Sequence, residues 1–222
     1  MESVVSRMFH SVLAQENLST YVNRFPAVRS RTLEFLVDIT PEQAAWTARP
    51  GTWSIVQIAD HLLRSEELYR EQWQRMIQMA KDGRFETIQI TFQEIDTWIA
   101  MVPRTVASTL QFPLRVFNRF VPTTVRETLV RYPLIAALNP KGSAPRDNLS
   151  LEQLRADLSA ALATTMKLLE GPLPRDLERI RIDHPVLGFN NIVDMFRIML
   201  AHEERHQGQM ERIRKNSGFP KA

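Results

Sequence analysis

His202-Glu203-Glu204-Arg205-His206 places two imidazoles four residues apart. On a helix that spacing puts both on one face, with roughly 5–6 Å between their Cβ atoms. Both can then reach one metal ion at about 2.0–2.1 Å. A third neutral histidine from another helix completes a three-nitrogen site with an open position for water or substrate. His61, far away in the sequence, is the candidate.

At 100° per residue, Ile192, Met195, Met199, Met210 and Ile213 form one broad apolar stripe, with His202 and His206 in its middle. Imidazoles in such a stripe face the protein interior, where an unpaired polar atom costs roughly 1–3 kcal/mol. Glu203 lies at the flank of the stripe, while Glu204 and Arg205 point away. His61 sits at the edge of its own helix's stripe, and Ser65 one turn later leaves room beside it. A histidine on an apolar face is ordinarily a hydrogen-bonded core residue, so the metal site and the structural role both stand at this stage. His10, in a polar segment, and His184, in a loop before Pro185, take the structural role, with His184 the one nearer in expectation to the site.

The same five residues satisfy HExxH, in which the glutamate serves a zinc protease as general base. The extended form of that motif requires Gly at 209 and His at 212, where this chain has Gln209 and Arg212. Glu211, the only later acid, is too near in sequence to be a separate third ligand. Protease chemistry is therefore disfavoured, and Glu203 is expected as a proton-transfer group or as a support behind the ligands. Asp60 and Glu66 are further candidates for such support.

Four long helices must position these residues. The first spans Pro26 to Asp38, with Pro26 at its start. The second opens at an N-cap Ser54, carries Ile55, Ile58, Leu62, Tyr69, Trp73 and Met76 on one face, and stops at Gly83. The third begins with the capping box Ser150-Leu151-Glu152-Gln153 and stops at Gly171-Pro172. The fourth starts at Asn190 or Asn191 and runs to about Asn216-Ser217-Gly218. The pattern predicts an all-α protein, a four-helix bundle in one domain over residues 1–222, with an insertion at about 84–148 between helices two and three. Within the insertion, Thr87 to Phe92 alternates and suits a short strand or extended arm, and repeated prolines keep later helices short.

Composition removes several function classes. The absence of cysteine excludes disulfides, thiolate ligands and a cysteine nucleophile. Neither a GxGxxG nor a GxxxxGK[ST] phosphate loop occurs. No apolar run approaches the roughly 20 residues of a membrane span, and the first residues lack a signal-peptide pattern, so a cytoplasmic location is expected. From Pro103 to Asn148 there are seven basic residues against Glu127 and Asp147. That charge suits either a solvated surface or an anionic partner, and no nucleic-acid-binding motif accompanies it.

Arg49-Pro50-Gly51-Thr52-Trp53-Ser54 through His61-Leu62 resembles the W-S-x-x-x-x-x-x-H-L segment of the DinB/YfiT-like metalloenzymes. His184-Pro185-Val186-Leu187-Gly188-Phe189-Asn190, followed by His202 through Met210, is similar to that family's closing helix with its HxxxH pair. The resemblance covers about 25–85 and 150–215. It implies an up-down-down-up four-helix bundle and a divalent ion, zinc or nickel, on His61, His202 and His206. It further implies a homodimer and a metal-dependent enzyme acting on a small-molecule substrate. The chemistry would be of S-transferase or hydrolase type, using activated water or a low-molecular-weight thiol. The rival expectation is a non-catalytic, stress-associated bundle whose metal is structural or absent.

Overall fold

The computed structural model describes residues 4–90, 143–146, 149–184 and 188–221, with side chains from Leu18 onward. Most of the expected insertion, including most of its basic stretch, lies outside the described residues; of that stretch Ser143–Arg146 are described. Five α-helices occur among the described residues: α1 (Val4–Val37), α2 (Pro41–Ala45), α3 (Ile55–Lys81), α4 (Leu151–Leu168) and α5 (Ile192–Arg214). None is long and apolar enough to cross a membrane.

Local signals set most boundaries. Ser54 and Gln57 make a reciprocal capping box at α3, and Gly83, at φ +70°, follows its end. Asn191 and Asp194 do the same at α5. At α4 the box is only half formed: Ser150 accepts from the Gln153 N–H, while the Gln153 amide turns to Asp157 at 2.8 Å. The first helix departs furthest from expectation, since Pro26 lies inside α1 instead of opening it. A proline removes one intrahelical hydrogen bond, and tertiary packing offsets that loss. Leu18, Phe25, Val28, Arg29, Thr32, Phe35 and Leu36 are all buried, a helical face with members on both sides of the proline.

The protein is mostly helical but not wholly so. Thr87–Gln89 (β1) pairs in parallel with Arg181–His184 (β2), Thr87 opposite Arg181 and Ile88 opposite Ile182. β2 pairs antiparallel with Gly188–Asn190 (β3). The all-α expectation is corrected here. The alternation at Thr87 was visible, but the partner strands are too short to carry a periodic signal of their own. Ile88 and Ile182 are buried and supply the sheet's contact with the core.

α1 packs on α5 and α4, and α3 on α4 and α5. Their apolar faces form two clusters. One gathers Phe25, Trp73, Met76, Leu169, Ile192 and Phe196, and extends to the sheet. The other gathers Leu36, Ile55, Ile58, Leu154, Leu158 and Met210. Each long helix carries buried polar residues on the stretch of chain between its contributions to the two clusters: Arg29 and Thr32 on α1, Glu66 on α3, Thr165 on α4, Glu203 and His206 on α5.

Candidate metal centre

Helical periodicity gives α5 two interleaved pairs of neighbours. His202 and His206 turn towards α3, where Nε2 of His202 stands 3.1 Å from Nε2 of His206 and 3.1 Å from Nε2 of His61. One ligand atom from each of the three lies within 4.8 Å of the others. Nitrogens about 2.05 Å from a common tetrahedral ion would stand roughly 3.3 Å apart, close to what is found.

Hydrogen bonding decides which nitrogens carry protons. Nδ1 of His61 donates to the carbonyl oxygen of Ser143 at 2.7 Å, and a carbonyl has no proton to give in return. Nδ1 of His206 donates to Oε1 of Gln209 at 2.9 Å. The Nε2 atoms of His61 and His206 therefore present lone pairs, and both face Nε2 of His202. One proton on His202 satisfies only one of them, so the donor set as built calls for a cation. The residues present fit a divalent metal ion.

Electrostatics keeps the imidazoles neutral, the form that binds metal. Burial pushes His61 down to about 4, against the opposing pull of the Ser143 carbonyl and with further lowering by Arg205. Burial also holds His202 and His206 well below the ordinary histidine range, reinforced by the neighbouring imidazoles and by Arg205. Trp53 covers the cluster, its ring 4.9 Å from that of His61 and stacked at 6.4 Å on that of His206. His61 and His206 are buried, and His202 is half-buried.

Glu203 and Gln207 turn the other way, to α1. The Glu203 carboxylate accepts from Arg29 Nε at 2.8 Å, from Arg29 Nη2 at 3.0 Å and from Thr32 Oγ1 at 2.7 Å. Gln207 donates to the Val28 carbonyl at 2.7 Å. Arg29 Nη2 also lies 2.9 Å from Glu66 Oε2, and Thr165 donates to Glu66 Oε1 at 2.7 Å. Arg29 Nη1 donates to the Leu158 carbonyl at 3.2 Å, so the network touches all four long helices. Burial disfavours the charge on Arg29, but Glu203 and Glu66 outweigh it and raise its pKa. Burial likewise raises Glu66, against the pull of Arg29.

The structure thus brings together His61, His202 and His206 and gives Glu203 to a separate ionic network behind them. Asp60, expected as a supporting residue, binds Arg146; Glu66 joins the Arg29 network. Glu204 pairs with Arg24 and Arg31 on the surface, as its outward position required. His184 ends β2 and is outside the three-histidine group, and the side chain of His10 lies outside the described residues.

The sequence pattern of the DinB superfamily matches residues 24–210, a span holding all three histidines and the whole Arg29 network. The chain belongs to the DinB superfamily. No curated protein and no solved structure matches it. Several residues of this DinB superfamily site escaped the sequence reading. Gln209 had a usable signal, three residues after His206 on the same helix. Arg29 and Thr32 had a weaker one, as polar residues inside the buried stripe of α1. Ser143 had none, because its contribution is a backbone carbonyl.

Proposed function

We propose that this chain binds one divalent metal ion, zinc or nickel, on His61, His202 and His206, and uses it in transfer or hydrolysis chemistry on a small molecule. The convergence of three neutral Nε2 atoms carries the reading. A neutral ligand shell leaves the ion's full charge available to lower the pKa of a bound water or low-molecular-weight thiol. The chain's own residues do the rest. Ser143 and Gln209 fix the tautomers, Trp53 excludes water from one side, and half-buried His202 leaves the other side open. Arg205, whose charge reaches all three imidazoles, favours an anionic group there. The bonds of Glu203 to Arg29 and Thr32 support a role in holding α5 rather than in moving a proton.

The helix order supports the four-helix bundle of the DinB/YfiT type. α1 and α5 run from the first apolar cluster to the second, and α3 and α4 run from the second to the first. That is an up-down-down-up order in a single domain, with the long connection falling where two parallel helices need a crossover. The homodimer belongs to the same reading, and sedimentation tests it.

Elemental analysis of the untagged protein is the deciding experiment. About one equivalent of metal is expected in the wild type, with loss in both His61→Ala and His202→Ala. A wild type free of metal after incubation with zinc or nickel would overturn the proposal. The rival reading, a metal that only staples α3 to α5, is favoured by the burial of two of the three ligands. It predicts bound metal without turnover in any thiol-transfer or hydrolysis assay.

A further inference from the structure

The four residues Ser143–Arg146 lie against α3 at two consecutive positions. Ser143, itself buried, gives its carbonyl to Nδ1 of His61. Three residues later, Arg146 closes on the neighbouring Asp60 with three bonds. Its backbone N–H donates to Oδ2 at 2.8 Å, and its Nε and Nη2 donate to Oδ1 at 3.1 and 2.6 Å. Asp60 is fully buried, so its charge requires a partner, and Arg146 reaches it with a side chain that remains half exposed. The charge-assisted bonds fix the course of the chain, and the course of the chain fixes the Ser143 carbonyl.

We propose that Asp60 and Arg146 are positioning residues for the metal centre: their ion pair clamps the Ser143 carbonyl onto His61, which sets the His61 tautomer and ring direction. This rests on the metal-binding reading above and goes beyond it. It assigns a task to a segment of the chain between α3 and α4, and it makes zinc affinity depend on an arginine that touches no ligand. Loss of an outer partner of a ligating histidine ordinarily costs about ten- to a hundredfold in metal affinity.

The test measures zinc affinity by competition with a chelating dye, and the absorption spectrum of the cobalt-loaded protein, for the full chain and its variants. Arg146→Ala and Asp60→Asn are expected to weaken zinc binding by about ten- to a hundredfold and to alter the cobalt spectrum. Arg146→Lys, which keeps the charge, should recover part of both. Arg84→Ala removes the same charge from a surface pair with Asp82 and should leave both unchanged. Wild-type affinity and spectrum in Arg146→Ala and Asp60→Asn would overturn the inference while leaving the metal centre standing. A wild type that takes up neither zinc nor cobalt would overturn both, so the two failures are distinct. Should the variants misfold, amide exchange at Arg146 in the wild type decides. Linkage requires that zinc slow that exchange, and an unchanged rate would sink the proposal.

Discussion

Protonation of the three imidazoles sets a pH response of the fold. His61 titrates near 6.5 in the unfolded chain and at about 4 in the folded one. Between those values the unfolded state binds the proton and the folded state does not, so stability falls as pH falls. Above 6.5 the contribution is complete; below about 4 it changes no further. For metal-free protein, denaturant unfolding is expected to show about 3 kcal/mol lost to His61 alone across that window. His202 and His206, displaced in the same direction, add to the loss. Replacing His61 by Gln should flatten the slope, and an unchanged slope would contradict the lowered His61 pKa. At this scale His202 and His206 were legible, because i, i+4 spacing within an apolar stripe is a strong geometric statement, while His61 rested on the edge of its own helix's stripe and on the family resemblance. Their partners were less so: a tautomer depends on what lies opposite Nδ1, and for His61 that is main chain.

α5 serves two neighbours by alternating its pairs, histidines 202 and 206 towards α3, Glu203 and Gln207 towards α1. Its position therefore depends on the ionic network as well as on apolar packing. Arg29→Met should destabilise the fold by about 3–5 kcal/mol, since it leaves Glu66 and Glu203 buried without their cation. A urea midpoint close to wild type would show that water or rearrangement satisfies them instead. The start of α3 could be read beforehand at Ser54, and that of α5 to within one residue at Asn190 or Asn191, because N-capping is short-range chemistry. The extension of α1 back to Val4 could not, because proline's local preference was overridden by contacts from distant parts of the chain. β2 and β3, three or four residues each, owe their existence to pairing rather than to local sequence.

The three histidines proposed as ligands come from helices far apart in sequence, so on that reading metal binding is linked to folding of the whole molecule. Zinc at a hundred times its dissociation constant should add about 2.7 kcal/mol to the unfolding free energy. For a chain of this length that is a rise in Tm of roughly 5–10 °C, reversed by a chelator and absent in His206→Ala. Equal melting curves with and without zinc would exclude such a link. The four long helices were readable as periodic segments, their up-down-down-up order only through the resemblance, and the polar layer not at all. It is assembled from one or two residues on each of α1, α3, α4 and α5, and their meeting is set by packing between helices. That layer also constrains how the sequence can change. Arg29 balances Glu66 and Glu203, with Arg70 3.7 Å from Glu66 supplying the second positive charge. Any single replacement that removes the charge of Arg29, Glu66 or Glu203 strands a charge in the interior. A descendant of this chain can abandon the layer only by exchanging several of its members together, so drift at these positions is blocked even where each new residue would pack well.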